Sequence, residues 1–277
     1  MSARAVAVIG LGCIGGSIAR VVHASGADVR GWSASANDRE AARTQGIEVP
    51  NTMDAAVRGA EITVIAVPAT AVQDVAREVI ESAPPGATIV HCCGVQSQTA
   101  LSLDDASFAR MIGSHPIAGS HESGFEASRP DLFAGCTVYA EARASEQARA
   151  HIAWLWELAG AARVEYVSAE AQDAVMTWVS HLPQLAATAL AATLASRGID
   201  PRSAGPGARD STRLAASPFE QWAPLVFAHP APLADALAQL ERTIAGVRAA
   251  LASASQSELE SIWSAARAWR RGAEERA

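Results

Sequence analysis

The sequence predicts an α/β protein in which a doubly wound parallel sheet is followed by an all-α domain. Three observations carry that expectation. Ala5 to Ile9 are five consecutive apolar residues, as in a strand buried on both faces, and they run directly into Gly10, Gly12 and Gly15 in G-x-G-x-x-G spacing. Beyond them, apolar runs alternate with helical patterns as far as residue 167, the order of strands and crossover helices in a parallel sheet. From Ser168 onward the strand signals cease and apolar residues recur at helical intervals. A length of 277 residues accommodates one or two domains.

Each element has a local justification. Gly10 permits a tight turn, Gly12 lets a pyrophosphate approach the backbone, and Gly15 lets helix and strand pack closely. The helix through Ile18, Ala19, Val21 and Val22 aims its free N–H groups and positive dipole end at that turn. The loop therefore reads as a dinucleotide site, with Cys13 and Ile14 beside it. Asp28 to Ser33 reads as the second strand. An NAD site carries an acidic residue at this strand's end, and Ser33-Ala34-Ser35-Ala36-Asn37 has none. Hydroxyls with Arg39 nearby suit a 2′-phosphate, so NADP is expected over NAD. A helix is expected over 38–45, a strand over 61–68 stopped by Pro68, a helix over 70–82 and a strand over 87–91. Ligands gather at the C-terminal ends of parallel strands, which places Val67, Pro68 and Cys92 to Gln96, Gly94 included, at the cleft mouth. The apolar run Ala109 to Gly113 leads into Ser114-His115-Pro116-Ile117-Ala118-Gly119-Ser120-His121-Glu122-Ser123-Gly124, a segment too polar for a core. Its place beside the cleft makes His115 a candidate catalyst. A strand over 135–140, a helix over 145–159 and a strand over 163–167 complete a Rossmann-like dinucleotide-binding domain, expected over 1–167.

The helical domain is expected over 168–277. Ser168 caps a helix with Glu170 in its first turn, running to about Ser196. Val175, Trp178, Leu182, Leu185, Ala189 and Leu194 form one apolar face; Asp173, Thr177, His181, Gln184 and Thr188 form a separate polar stripe. Pro183 removes the bond to the Val179 carbonyl and should kink the helix beside His181, which suggests that the stripe lines a cleft. After Gly205-Pro206-Gly207, Arg209 and Arg213 stand four apart and would share a helical face, with guanidinium groups suited to carboxylate capture. Helices over 231–253 and 256–271, with Trp263 and Trp269, suggest helix packing and a dimer surface.

Composition narrows the function. A net charge of −7 without a basic block argues against nucleic acid or an anionic membrane as partner. No apolar run reaches membrane-spanning length and no signal pattern opens the chain, so a cytoplasmic protein is expected. Cys13, Cys92, Cys93 and Cys136 suit neither a disulfide framework nor a metal site. The chain contains no lysine, which removes Schiff-base chemistry and a lysine base; histidine and carboxylates remain for proton transfer.

These residues resemble the prephenate and arogenate dehydrogenases of tyrosine biosynthesis. The resemblance is carried, in order, by the glycine loop with Ser17, by Ser114-His115-Pro116-Ile117-Ala118-Gly119, by Ser180-His181-Leu182-Pro183, and by Arg209-Asp210-Ser211-Thr212-Arg213-Leu214-Ala215. It implies a Rossmann-like domain with a helical dimerisation domain. It also implies NAD(P)-dependent oxidative decarboxylation of a cyclohexadienyl carboxylate by a homodimer. By the same resemblance, His115 hydrogen-bonds the ring hydroxyl and takes its proton. Arg213 binds a substrate carboxylate, and Ser114 and His181 line the substrate cleft. With no regulatory segment read after residue 271, inhibition by tyrosine would act at the active site itself.

The departures lie in His91-Cys92-Cys93-Gly94-Val95-Gln96. Gly94 stands where the family has a serine that assists the histidine, and Gln96 stands where it has a lysine. These changes leave room for a ring amine, as in 4-amino-4-deoxyprephenate. Two other readings are a different two-domain oxidoreductase of hydroxyacids or imines, and a nucleotide-sensing protein without catalysis. The hydroxyacid branch relies on a lysine absent here, and the retained His115, His181 and Arg213 argue against the sensor.

Overall fold

Seven strands form one sheet in the order β2-β1-β3-β4-β5-β6-β7 in the computed structural model, which describes residues 4–119 and 122–274. They are β1 (Ala5–Ile9), β2 (Asp28–Trp32), β3 (Ile62–Ile65), β4 (Thr88–His91), β5 (Met111–Pro116), β6 (Thr137–Glu141) and β7 (Arg163–Val167). The first five run parallel. Between them lie helices α1 (Cys13–Ala24), α2 (Ala36–Thr44), α3 (Met53–Val57), α4 (Val72–Ser82) and α5 (Asp105–Arg110), and α6 (Glu146–Leu158) joins β6 to β7. The short α3 and α5 carry no amphipathic period long enough to be read from the sequence. β1, β3 and β4 are buried along almost their whole length, as their unbroken apolar runs require. Val6, Val8, Ile62 and Val64 pack on one side of the sheet against α1 and α6; Ala7, Ile9, Ile65 and Ile89 pack on the other against α3 and α4.

The expected all-parallel sheet needs one correction. β6 runs antiparallel to β5, and β7 runs parallel to β6. Among the described residues of 117–136, which connect β5 to β6, the only regular element is a short 3₁₀ turn at Phe125–Ala127. Without a crossover helix the chain returns beside the strand it has just left, in the opposite direction.

The helical half comprises α7 (Ala169–Met176), α8 (Leu182–Ser196), α9 (Pro206–Thr212), α10 (Phe219–Val226), α11 (Pro230–Ala252) and α12 (Gln256–Glu274). Ser168 caps α7 by accepting from the backbone N–H of Ala171 at 3.1 Å, as expected. Pro183 does disturb the long helix beside His181, in the form of a π turn over Thr177–His181 between α7 and α8. The extra residue in that turn absorbs the lost hydrogen bond without breaking the rod. The polar stripe is packed inside rather than open to a cleft: Asp173, Thr177, His181 and Gln184 are buried and Thr188 is exposed, whereas Val175 and Trp178 of the apolar face are 39% and 52% exposed. No helix among the described residues is long and apolar enough to cross a membrane.

Candidate active site

The glycine loop forms the floor of a groove along the C-terminal ends of β1, β2, β3 and β4. Gly10 has φ of 94°, and a Cβ on it would sit 2.4 Å from the Ala66 carbonyl oxygen. A Cβ on Gly15 would sit 1.8 Å from the Gly10 carbonyl oxygen, so helix and strand meet backbone to backbone. Gly12 has nothing within 4 Å of its missing side chain and opens onto the groove. It caps α1 without any side-chain bond, and no acid stands in the first turn. The free N–H groups and dipole of α1 therefore face open space, which fits a pyrophosphate. Gly10, Gly12, Cys13, Ile14, Ser33, Val67, Pro68 and Gly94 all line this groove, of about 600 Å³. Asp38 lines it too, its Oδ1 accepting from the Phe125 N–H at 2.9 Å.

His115 lies within β5 rather than after it, its ring behind Gly94 in the groove wall. Its Nδ1 is 3.0 Å from the side-chain nitrogen of Gln172, and the same nitrogen donates to the Gly94 carbonyl at 3.2 Å. A Cβ on Gly94 would stand 3.8 Å from His115 Nε2, so the missing side chain leaves free volume at that ring nitrogen. Burial, with a smaller contribution from nearby His181, lowers the His115 pKa to about 4 against the opposing pull of Asp173. The imidazole is thus neutral across the physiological range, free to exchange a proton with a ligand.

Asp173 ties this region together. Its Oδ1 accepts from the backbone N–H of Gln96 at 2.7 Å, and Oδ2 from that of Ser97 at 3.0 Å. His229, at the start of α11, meets Oδ2 through Nε2 at 2.8 Å and the Ser97 hydroxyl at 3.1 Å. Gln96 is completely buried, its amide donating to the Tyr139 carbonyl at 3.0 Å. It thus replaces a charge with a neutral strut between the loop after β4 and β6.

The groove continues into a second cavity of about 660 Å³ under the helical half, the two sharing Gln221 and Leu225. Arg213 and Arg129 both line it, with Gly119, Ser180, Pro183 and Trp222. Among the described residues no carboxylate lines this cavity. His181 is buried behind Trp222, the rings edge to face with centroids 6.3 Å apart. Burial lowers its pKa, Asp173 opposing and His229 assisting.

Four expectations require correction. The Ser114 hydroxyl points away from the cleft, is fully buried and accepts from the Trp156 indole N–H at 2.7 Å. Alternation along β5 sends Ser114 and His115 to opposite faces, so only the histidine reaches the ligand side. Gly15 shapes the loop without lining the groove. Arg39 lies outside the groove lining; its guanidinium donates to the Ser33 and Ala34 carbonyls at 2.5 and 3.1 Å and so braces the β2 terminus. Arg209 and Arg213 do not share a continuous helix, because α9 ends at Thr212 and Arg213 opens a 3₁₀ turn; Arg213 lines the cavity and Arg209 does not. His121 lies outside the described residues. The sequence did not single out Gln172, Arg129 or Trp222: each is one polar or aromatic residue in an ordinary setting, and only the chain's return brings it to the site.

Residues 18–165 match the family model of the prephenate dehydrogenase nucleotide-binding domain, and residues 168–264 that of the prephenate dehydrogenase dimerization domain. The chain is 31% identical over 262 residues to the cyclohexadienyl dehydrogenase of Zymomonas mobilis, covering 90% of this chain and 88% of that one. It is 27% identical over 256 residues to the prephenate dehydrogenase of Bacillus subtilis, covering 88% and 69%. Its fold superposes on prephenate dehydrogenase from Aquifex aeolicus, solved with hydroxyphenyl propionate and NAD+, with a TM-score of 0.87 at 24% identity over 98% of this chain and 99% of that one. Synechocystis arogenate dehydrogenase gives 0.78 at 20% identity, over 96% and 99%. The glycine groove, the neutral histidine behind Gly94 and the arginine cavity that adjoins the groove are therefore those of a member of the prephenate dehydrogenase family, an oxidoreductase that couples hydride transfer to a nicotinamide cofactor with decarboxylation of a cyclohexadienyl substrate.

Proposed function

We propose that the protein oxidises prephenate in preference to arogenate, with NADP, as a homodimer. The observation that carries the substrate reading is the cavity next to His115: two guanidinium groups, Arg129 and Arg213, and no carboxylate among its described lining residues. Prephenate presents two carboxylates and no cation, whereas arogenate brings an ammonium group that this lining does not meet. The dinucleotide supplies the hydride acceptor when bound. His115 accepts a hydrogen bond from the ring hydroxyl at Nε2 and holds its proton while the ring carbon becomes carbonyl-like. As the ring carboxylate departs and the ring becomes aromatic, His115 returns that proton to the phenolic oxygen. Arg213, with Arg129, holds the carboxylates, and Trp222, edge to face with His181, lines the cavity beside them.

NADP is favoured by the Ser33 and Ser35 hydroxyls that line the groove at the end of β2, where the Asp38 carboxylate, which also lines it, is engaged by the Phe125 N–H. A dimer is favoured by Trp178, Val179, Trp263 and Trp269, 52%, 55%, 66% and 74% exposed on the helical half. The test is reduced-cofactor formation by the purified protein with prephenate, arogenate and 4-amino-4-deoxyprephenate, each with NAD and with NADP. Prephenate with NADP should give the highest kcat/KM. Faster turnover of arogenate would overturn the substrate assignment, and faster turnover with NAD would overturn that of the cofactor.

A further inference from the structure

Gln172 is completely buried on α7, and its amide nitrogen is shared between the Gly94 carbonyl and His115 Nδ1. A carbonyl oxygen only accepts, so the group facing Gly94 must be the NH2 end of the amide. The same NH2 then donates to Nδ1, and Nδ1 carries no proton. A neutral imidazole with a bare Nδ1 holds its proton on Nε2, the nitrogen that faces the free volume at Gly94. The amide oxygen of Gln172, meanwhile, is buried without a hydrogen-bond partner among the described residues. An orphaned buried acceptor on the residue that contacts a candidate catalytic ring is a costly arrangement in a resting enzyme.

We propose that Gln172 is the positioning residue of His115, fixing the ring proton on Nε2 at rest, so that proton acceptance waits on a half-turn of the Gln172 amide. In the turned state the amide oxygen accepts from Nδ1–H and Nε2 becomes the acceptor that the ring hydroxyl needs. No proton is gained or lost in the switch; it moves from Nε2 to Nδ1. The turn satisfies the orphaned oxygen at Nδ1–H but sets it beside the Gly94 carbonyl and leaves the NH2 without its acceptor, so the turned state is taken only when a ring hydroxyl donates to Nε2. This inference deepens the role of His115 in the preceding section and rests on it for its consequence in turnover, though not for the tautomer itself.

The other ionisable groups around the ring are His91 on β4, Asp173 on α7 and His181 in the π turn. None of them supplies the contact to Nδ1, so a change at Gln172 is read without a competing partner. The experiment is histidine-selective 15N NMR of the intact enzyme, with the His115 resonances assigned by their loss in His115→Asn, in parallel with pH profiles of kcat/KM. The free wild-type enzyme should show the Nε2–H tautomer. Gln172→Glu offers only acceptor oxygens to Nδ1; it should give the Nδ1–H tautomer and move the acid limb of the profile up by about one unit or more. Gln172→Leu should lower kcat at least ~10-fold, a part of what general acid–base catalysis supplies, with KM nearly unchanged. An Nδ1–H tautomer in the wild-type enzyme would overturn the proposal, as would a Gln172→Glu enzyme with wild-type tautomer and acid limb. The NMR readout needs no turnover. The expected tautomers in an enzyme inactive on prephenate would sustain this inference and count against the substrate assignment alone.

Discussion

The dinucleotide groove and the helical cavity meet at Gln221 and Leu225, yet they are built on opposite plans. The groove is made of backbone: glycines at van der Waals limits, strand ends and the open terminus of α1. The cavity is made of side chains, Arg129, Arg213, Trp222 and Ser180, that arrive from separate segments. A backbone site is defined by what must be absent, and a side-chain site by what must be present. The first kind leaves a spaced motif in the sequence; the second leaves single residues whose meaning depends on packing.

That contrast predicts a ranking of mutational effects. His115→Asn, behind Gly94 in the groove wall, should lower kcat by about 100- to 10,000-fold with little change in KM, measured by steady-state kinetics. Gly15→Ala should come next, since its Cβ would collide with the Gly10 carbonyl 1.8 Å away. Overpacking of this kind costs about 1–3 kcal/mol or more, read as lost dinucleotide affinity in a fluorescence titration. Arg213→Leu should leave dinucleotide affinity intact and raise KM roughly 10- to 100-fold, the worth of a charged hydrogen bond. If Arg213→Leu instead weakened the dinucleotide, the division into two differently built regions would fail.

A gentler test uses acid. Burial holds His91 and His115 at about 4, below their ordinary 6.5. Between those values the unfolded chain binds more protons than the folded one. Stability should therefore be full above about pH 6.5 and drain as pH falls toward 4. A Tm that stays flat down to pH 4.5 would contradict the buried, neutral state of both rings. The smallest effect is expected of Gly94→Ser. Its Cβ meets nothing nearer than 3.6 Å, so the fold should be unchanged, and a hydroxyl placed beside His115 should alter kcat only a few-fold, the net worth of one neutral hydrogen bond.

The same contrast explains what the sequence revealed. β1, the glycine loop and the burial of β3 and β4 were legible because unbroken apolar runs and fixed glycine spacing have few structural solutions. The stripe of Asp173, Thr177, His181 and Gln184 was legible as one polar face, but only the packing shows that this face is buried and that Val179, Ser180 and Pro183 beside it line the cavity. The reversal at β6 was hidden because strand direction depends on the missing crossover helix, not on the strand's residues. Ser114 and His115 looked alike as neighbours in one motif, and only the pleat of β5 separates them. Gln172 has no periodic partner, so its importance is visible only once β5 and α7 are side by side.

The Asp173 carboxylate joins residues 96–97, 173 and 229, three stretches far apart along the chain and belonging to both halves. Neither half can separate without giving up the Gln96 and Ser97 N–H bonds to that carboxylate, each worth about 1.5–3 kcal/mol as a bond to a charged group. The molecule should consequently melt as one cooperative unit despite its two-part architecture, with calorimetric and van't Hoff enthalpies in agreement. Replacing Asp173 with alanine should split that single transition in two, turning a molecule that denatures all at once into one that comes apart in stages.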